Sequence, residues 1–238
     1  MNLNVFISKS GYCSRRKADA LIKSGKVSVD GKIINKPYCD VNPDQKVCID
    51  GANITQKERV YFIFNKPRSV ISTCRDIFAE KKVIDFFPKQ YQGIFPVGRL
   101  DKDTSGLIVI TNDGDLCYRV THPSFEIEKE YEANLNGKLT SQDIEKAKKG
   151  ISLEGELLKA KRIKVIKIAQ GRTFCSVVVS EGKKRHLRRL FSALGYFVVS
   201  LKRVRIGNLL LGELKNGQYK SLTQKEIYYL LFGSQRLK

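Results

Sequence analysis

The run 98–115, GRLDKDTSGLIVITNDGD, constrains this chain more than any other stretch. Gly98 and Gly106 bracket a polar loop that runs straight into the apolar strand GLIVIT at 106–111, ended by a predicted turn at Asn112-Asp113-Gly114. A polar loop joined to such a strand holds its side chains at a rigid edge, where functional groups are well placed. Further strands are predicted at 61–65, stopped by Lys66-Pro67, and at 131–135, 163–168 and 174–179. Helical patterns are fewer: 141–149, 184–194, and a last helix opened by Thr223 with Glu226, ahead of Ile227, Leu230 and Leu231. Helices and strands mix without regular βαβ alternation, so the expected class is α+β, with a largely antiparallel mixed sheet and flanking helices.

The first 50 residues follow a different grammar. Leu3, Phe6 and Ile7 share one helical face closed by Gly11. Ser14 is a good N-cap for a second helix in which Ala18, Leu21 and Ile22 recur, with Gly25 as the stop. Asp30-Gly31, between Val27-Ser28-Val29 and Lys32-Ile33-Ile34, is a short hairpin signal. This helix-and-hairpin unit is small for independent stability but suits an appended module. The polar stretch 50–58 reads as a linker, which divides the chain into a unit at 1–55 and a larger one at 59–238.

Charge narrows the partner. There are 44 Lys and Arg against 24 Asp and Glu, a formal net charge of +20. Solubility needs far less, so the expected partner is a polyanion. No apolar run approaches the roughly 18 residues of a membrane span, and the first residues lack the pattern of a secretory signal. The six cysteines are scattered without a CxxC pair, and the two histidines, His122 and His186, lie near no cysteine pair. That pattern predicts free thiols in the reducing cytoplasm and no structural zinc site.

Four carboxylates fall in the run 98–115: Asp101, Asp103, Asp113 and Asp115. Asp101-x-Asp103-x-Ser105-Gly106 opens like a calcium loop, but position twelve is Asn112 where a bidentate Glu is required, and Pro96 and Gly98 exclude the entering helix. Asp103, Asp113 and Asp115 suit loop aspartates that satisfy backbone amides. The remaining possibility is that one aspartate, Asp101 foremost, is a nucleophile or base.

GRLDKDTSGLIVITNDGD closely resembles the catalytic motif of pseudouridine synthases of the RsuA/RluB type, in which the Asp of G-R-L-D is the essential residue. The resemblance extends along nearly the whole chain in the right order. Residues 2–50 look like the family's small S-four-like RNA-binding domain, and FNKPRSVISTC at 64–74 like its first catalytic-domain motif. EKEYEA at 128–133 matches the segment with its active-site tyrosine, and EGKKRHLRRLFSALGY and LKRVRIGNLLLGELKNGQYKSLT match its C-terminal motifs.

The resemblance implies isomerisation of a uridine already in ribosomal RNA, with 23S-type, large-subunit RNA the expected substrate on overall similarity, by a monomer that needs no cofactor and no metal. It gives Asp101 the role of nucleophile, at the ribose or at the base. Arg188 matches the arginine that pairs with that aspartate, Tyr131 the tyrosine that stacks on the flipped base, and Arg99 an arginine that helps displace it. On spacing alone, Arg185, Arg188 and Arg189 would be the solvated side of a helix whose apolar face is Leu187, Leu190, Phe191 and Leu194. Arg185 and Arg189 are therefore expected to contact phosphate, as are Arg15, Arg16 and Lys17 of the N-terminal unit. One departure stands out: His186 and Leu190 occupy places where the family most often has Gln and Met. Two other readings remain open, a non-catalytic RNA-binding or ribosome-assembly factor on the same scaffold and a metal-dependent nuclease built on the aspartate pairs.

Overall fold

The structure is a computed structural model that describes residues 1–42, 44–74, 80–91 and 93–233. In the N-terminal unit, α1 (Leu3–Lys9) buries Leu3, Phe6 and Ile7. Helix α2 (Arg15–Lys23) starts at Ser14, whose side chain accepts from the Lys17 amide, and buries Ala18 and Ile22. Strands β1 (Val27–Val29) and β2 (Lys32–Ile33) form the expected hairpin, followed by β3 (Val47–Ile49) and β4 (Ala52–Ile54). The four make one sheet in the order β2-β1-β3-β4.

The expected linker at 50–58 is therefore corrected at its start. Asp50 and Gly51 turn β3 into β4 with φ of 48° and 81°, the same values as Asp30 and Gly31 in the first hairpin. Both are Asp-Gly turns with two positive φ angles, the geometry that matches strand twist in a tight hairpin. The connecting segment is 55–60.

Beyond it come β5 (Tyr61–Lys66), β6 (Phe95–Pro96), β7 (Ser105–Thr111), α3 (Gly114–Thr121), β8 (Lys129–Asn136), α4 (Ser141–Lys149), β9 (Ile151–Leu153) and β10 (Glu156–Leu158). Then follow β11 (Arg162–Ala169), β12 (Arg172–Val179), α5 (His186–Ala193), β13 (Val198–Ile206), β14 (Leu209–Leu210), β15 (Tyr219–Leu222) and α6 (Gln224–Phe232). A nine-stranded sheet runs β11-β12-β8-β13-β7-β5-β15, with β14 beside β13 and β6 beside β7. Its pairings are antiparallel except for β13 with β7, which is parallel.

Strand β7 is buried on both faces. Leu107 and Val109 pack with Leu116 of α3 and Ile227 of α6, while Ile108 and Ile110 pack with Phe62, Phe64 and Val83. Two apolar faces leave no place for alternation, which is why GLIVIT is a continuous apolar run. A third cluster lies under α4 and α5, where Ala147, Leu187, Leu190 and Phe191 meet Leu135, Val177 and Val198.

Helix α3 corrects the turn expected at 112–114. Asp113 caps the helix, accepting from the amides of Asp115 at 3.0 Å and Leu116 at 3.3 Å. Its fully buried side chain also receives Arg59 Nη1 at 3.2 Å and the Tyr61 hydroxyl at 2.9 Å. Asp115, two residues on, takes Arg59 Nη2 at 3.4 Å and Lys9 Nζ of α1 at 3.2 Å. The two carboxylates thus tie the connecting segment and the N-terminal unit to the start of α3. Replacing Asp113 with Ala removes a cap, leaves the buried Tyr61 phenol without its acceptor and leaves Arg59 with Asp115 alone. The expected loss is about 3 kcal/mol of unfolding free energy, read as a lower urea midpoint; an unchanged midpoint would deny the network its structural role.

Candidate active site

The loop before β7 is pinned by backbone and hydroxyl bonds. Ser72 Oγ accepts from the Leu100 amide at 3.1 Å and donates to the Leu100 carbonyl at 2.9 Å. The Ser69 amide donates to the Lys102 carbonyl at 2.7 Å, and the Thr104 amide to the Asp101 carbonyl at 3.0 Å. At the loop's end Gly106 sits at φ +106°, paired with Arg203 of β13. A Cβ there would lie 2.2 Å from the Arg203 carbonyl oxygen, so only glycine lets the two strands approach.

Helix α5 grips the same loop from the other side. Arg188 Nε lies 3.2 Å from Asp103 Oδ2, Nη2 donates to the Asp103 carbonyl at 3.1 Å, and Nη1 to the Val198 carbonyl at 2.9 Å. The expected ion pair of Arg188 with Asp101 is thus corrected: its partner is Asp103, with Arg185 Nη1 at 3.5 Å from the other oxygen. The guanidinium fork bridges loop and sheet, and the carbonyl of Asp103 is the acceptor within its reach. Burial draws the Arg188 guanidinium below its ordinary range, and Asp103 opposes that shift. Among the described residues Asp101 is half-buried with no ion-pair partner of its own.

A cavity of about 390 Å³ opens here, within the range of small-ligand sites. Asp101, Arg99, Tyr131, Arg185 and Arg188 all line it, although they come from three separate segments of the chain. Arg15, Arg16 and Lys17 do not; they are exposed on the first turn of α2. Arg189 departs from its expected phosphate role: its guanidinium is taken up by Glu154 at 3.1 Å and by Glu156, which fastens the β9–β10 hairpin to α5. His186 lines the cavity but is buried, and its Nε2 lies 3.1 Å from the Lys159 carbonyl, so that nitrogen carries the hydrogen. Burial holds its pKa below the usual imidazole value. Leu190 is fully buried in the core, so Leu in place of Met is a packing choice.

Three neighbours escaped sequence reasoning. Lys129 and Arg203 line the cavity, and Lys66, fully buried, stands close enough to Asp101 and Asp103 to be stabilised by both. Lys129 was within reach, because it lies two residues before Tyr131 in a strand and so shares its face. Arg203 lies within a stretch read only as a family motif, and the adjacent Lys202 and Arg203 break the alternation of β13, so nothing singled it out.

Residues 60–193 match the family described as RNA pseudouridylate synthase, and residues 1–47 match the S4 domain. A relative in Bacillus subtilis strain 168, named ribosomal large subunit pseudouridine synthase B, is 37% identical over 94% of this chain and 93% of its own length. An RNA pseudouridine synthase of Aquifex aeolicus is 34% identical over 97% of this chain and 93% of its own. A crystal structure of a pseudouridylate synthase superposes with a TM-score of 0.67 at 29% identity, covering 97% of this chain and 99% of that one. The chain belongs to the RNA pseudouridylate synthase family. It is an isomerase, with an S4 RNA-binding domain at its N-terminus.

Lys66 offers a test of the site's electrostatics. Its Nζ donates to the carbonyls of Pro67 at 2.9 Å and Val70 at 2.7 Å, while burial pushes its pKa down from 10.5 to about 8. A base with a lowered folded pKa binds fewer protons folded than unfolded between pH 8 and 10.5, so stability rises with pH through that window. Relative to Lys66→Met, the wild type should gain up to about 3 kcal/mol across it. Urea unfolding of both proteins at several pH values reads the difference; parallel pH curves would mean that Lys66 is not desolvated.

Proposed function

We propose that this enzyme converts one specific uridine of large-subunit ribosomal RNA to pseudouridine, with Asp101 as nucleophile. The observation that carries this reading is the convergence of Asp101, Tyr131, Arg99, Arg185 and Arg188 on one cavity. The name of the Bacillus subtilis relative supports the choice of large-subunit RNA, and such a substrate would place the enzyme in the cytoplasm.

The target base is shielded inside folded RNA, so the nucleotide must leave the stack, at a cost of a few kcal/mol. Stacking on Tyr131 and phosphate contacts at the exposed Arg185 offset that cost. Arg99, also exposed at the cavity, fills the space the base vacates. A carboxylate attacks only when ionised, which the surrounding cations favour against the opposing effect of burial. Arg188 serves Asp101 through the loop, by holding Asp103. The reaction is redox-neutral and consumes no water: the N1–C1′ bond breaks, the ring turns, C5 bonds to C1′, the C5 proton leaves and N1 gains one.

In this reading the chain works as two parts, an RNA-gripping unit at 1–55 and a catalytic unit at 59–238. Arg15, Arg16 and Lys17 supply affinity and orientation without reading sequence. Every residue named comes from one chain, so a monomer suffices.

Tritium release from ribosomal RNA labelled at uridine C5 tests the assignment. Asp101→Asn should abolish release while RNA still binds. Release at the wild-type rate would remove Asp101 from the chemistry. Pseudouridine mapping of ribosomal RNA from cells with and without the gene identifies the target, and an unchanged large-subunit map would contradict the substrate.

A further inference from the structure

Of the four cations in the cavity that the roles assigned above do not use, Lys183 and Lys184 lie on the loop before α5, whereas Lys129 and Arg203 lie on neighbouring strands of the sheet. Strand β8 points Lys129 and Tyr131 to the same side, and the antiparallel register sets Tyr131 opposite Arg203 of β13. Arg203 is 5% exposed; its Nε donates to the Leu107 carbonyl at 2.7 Å, and its buried Nη2 has no hydrogen-bond partner among the described residues. Among the described residues Lys129 Nζ makes one long contact, 3.4 Å to the Ser180 carbonyl.

Apart from Asp101, which the proposed reaction itself uses, the carboxylates nearby are engaged elsewhere. Glu130 bonds Ser176 and Arg205, Glu128 bonds Lys161 and Arg205, Glu181 pairs with Lys183, and Asp103 with Arg188. Burial, and then the charge of Arg203, push the Lys129 pKa down to about 8. Holding two cations together with no carboxylate paired to either among the described residues costs stability, and a ligand that brings negative charge recovers that cost. A phosphate is poorly placed to do so, because it remains on the RNA backbone outside, whereas Arg203 is almost wholly enclosed.

We propose that Lys129 and Arg203 are catalytic residues that hold the carbonyl oxygens of the extruded uracil and stabilise the negative charge the ring acquires during isomerisation. The proposal rests on the Asp101 reading of the cavity. When N1–C1′ breaks, its electron pair stays on the ring while an Asp101 oxygen bonds C1′. After the ring turns, a ring electron pair forms C5–C1′ and the carboxylate leaves. Loss of the C5 proton returns a pair to the ring, and N1 takes up a proton. If Asp101 instead adds to ring C6, the displaced pair moves onto the ring oxygen, and the same two cations face it. Preorganised charge of this kind acts most strongly in a water-poor site.

The test is single-turnover tritium release with excess enzyme and C5-labelled large-subunit RNA, beside RNA affinity by filter binding. Lys129→Met should slow release by about 100-fold with affinity within about twofold of wild type, and Lys129→Arg should recover much of the rate. Lys129→Gln, which keeps a polar head without charge, should be slow as well, and it serves as the readout if the Met variant fails to fold. A wild-type rate in the uncharged variants overturns the proposal. So does a loss of affinity that accounts for the loss of rate, because Lys129 would then be a phosphate contact. Asp101→Asn is measured in parallel: its activity would topple the underlying reading, whereas an inactive Asp101→Asn beside a normal Lys129→Met topples only this inference.

Discussion

The site depends on how closely two strands approach. Parallel pairing of β7 with β13 brings the Arg203 backbone against Gly106, at a distance no side chain would allow. That contact fixes the end of the 98–104 loop, and Ser72 and Ser69 fix its start and middle. Arg188 closes the arrangement from α5, one guanidinium holding the loop at Asp103 and β13 at Val198. Asp101 thereby sits on rigid backbone with its own carboxylate left free of an ion pair among the described residues. A reactive group benefits from such placement, since its geometry is set by others while its charge is not neutralised.

Electrostatics complete the design. Seven Lys or Arg side chains and two carboxylates, Asp101 and Glu181, line the cavity. Part of the net +20 of the chain is thus placed where an RNA nucleotide would enter, and a further part on α2. Buried carboxylates away from the cavity have structural work: Asp113 anchors α3, the connecting segment and, through Asp115, the N-terminal helix. The same residue type in one short run therefore forms a clamp and a helix cap and, in the proposed reading, the nucleophile, separated by burial and partners alone.

Much of this was legible in the sequence. The N-caps Ser14 and Thr223, the helix at 141–149 and the strand GLIVIT follow from local rules that tertiary structure did not override. The second Asp-Gly turn, at 50–51, carried the same signal as the first, but the polar residues after it read as linker. Helix α3 was hidden because Asp113-Gly114 is equally good as a turn or as a cap. The ion pairs were not legible at all: that Arg188 meets Asp103 and Arg189 meets Glu154 and Glu156 depends on the packing of segments far apart in the chain. Residue identity narrowed the candidates, and only the fold could pair them.

The most direct test of this account is a double-mutant cycle on the clamp, read as single-turnover rate with RNA affinity measured alongside. Arg188→Met and Asp103→Asn should each slow the reaction, and together they should be little slower than the worse of the two, because they remove one shared interaction. Rate losses that multiply would contradict the account: Arg188 would then act on Asp101 or the RNA independently of Asp103, and the loop would owe its placement to something else.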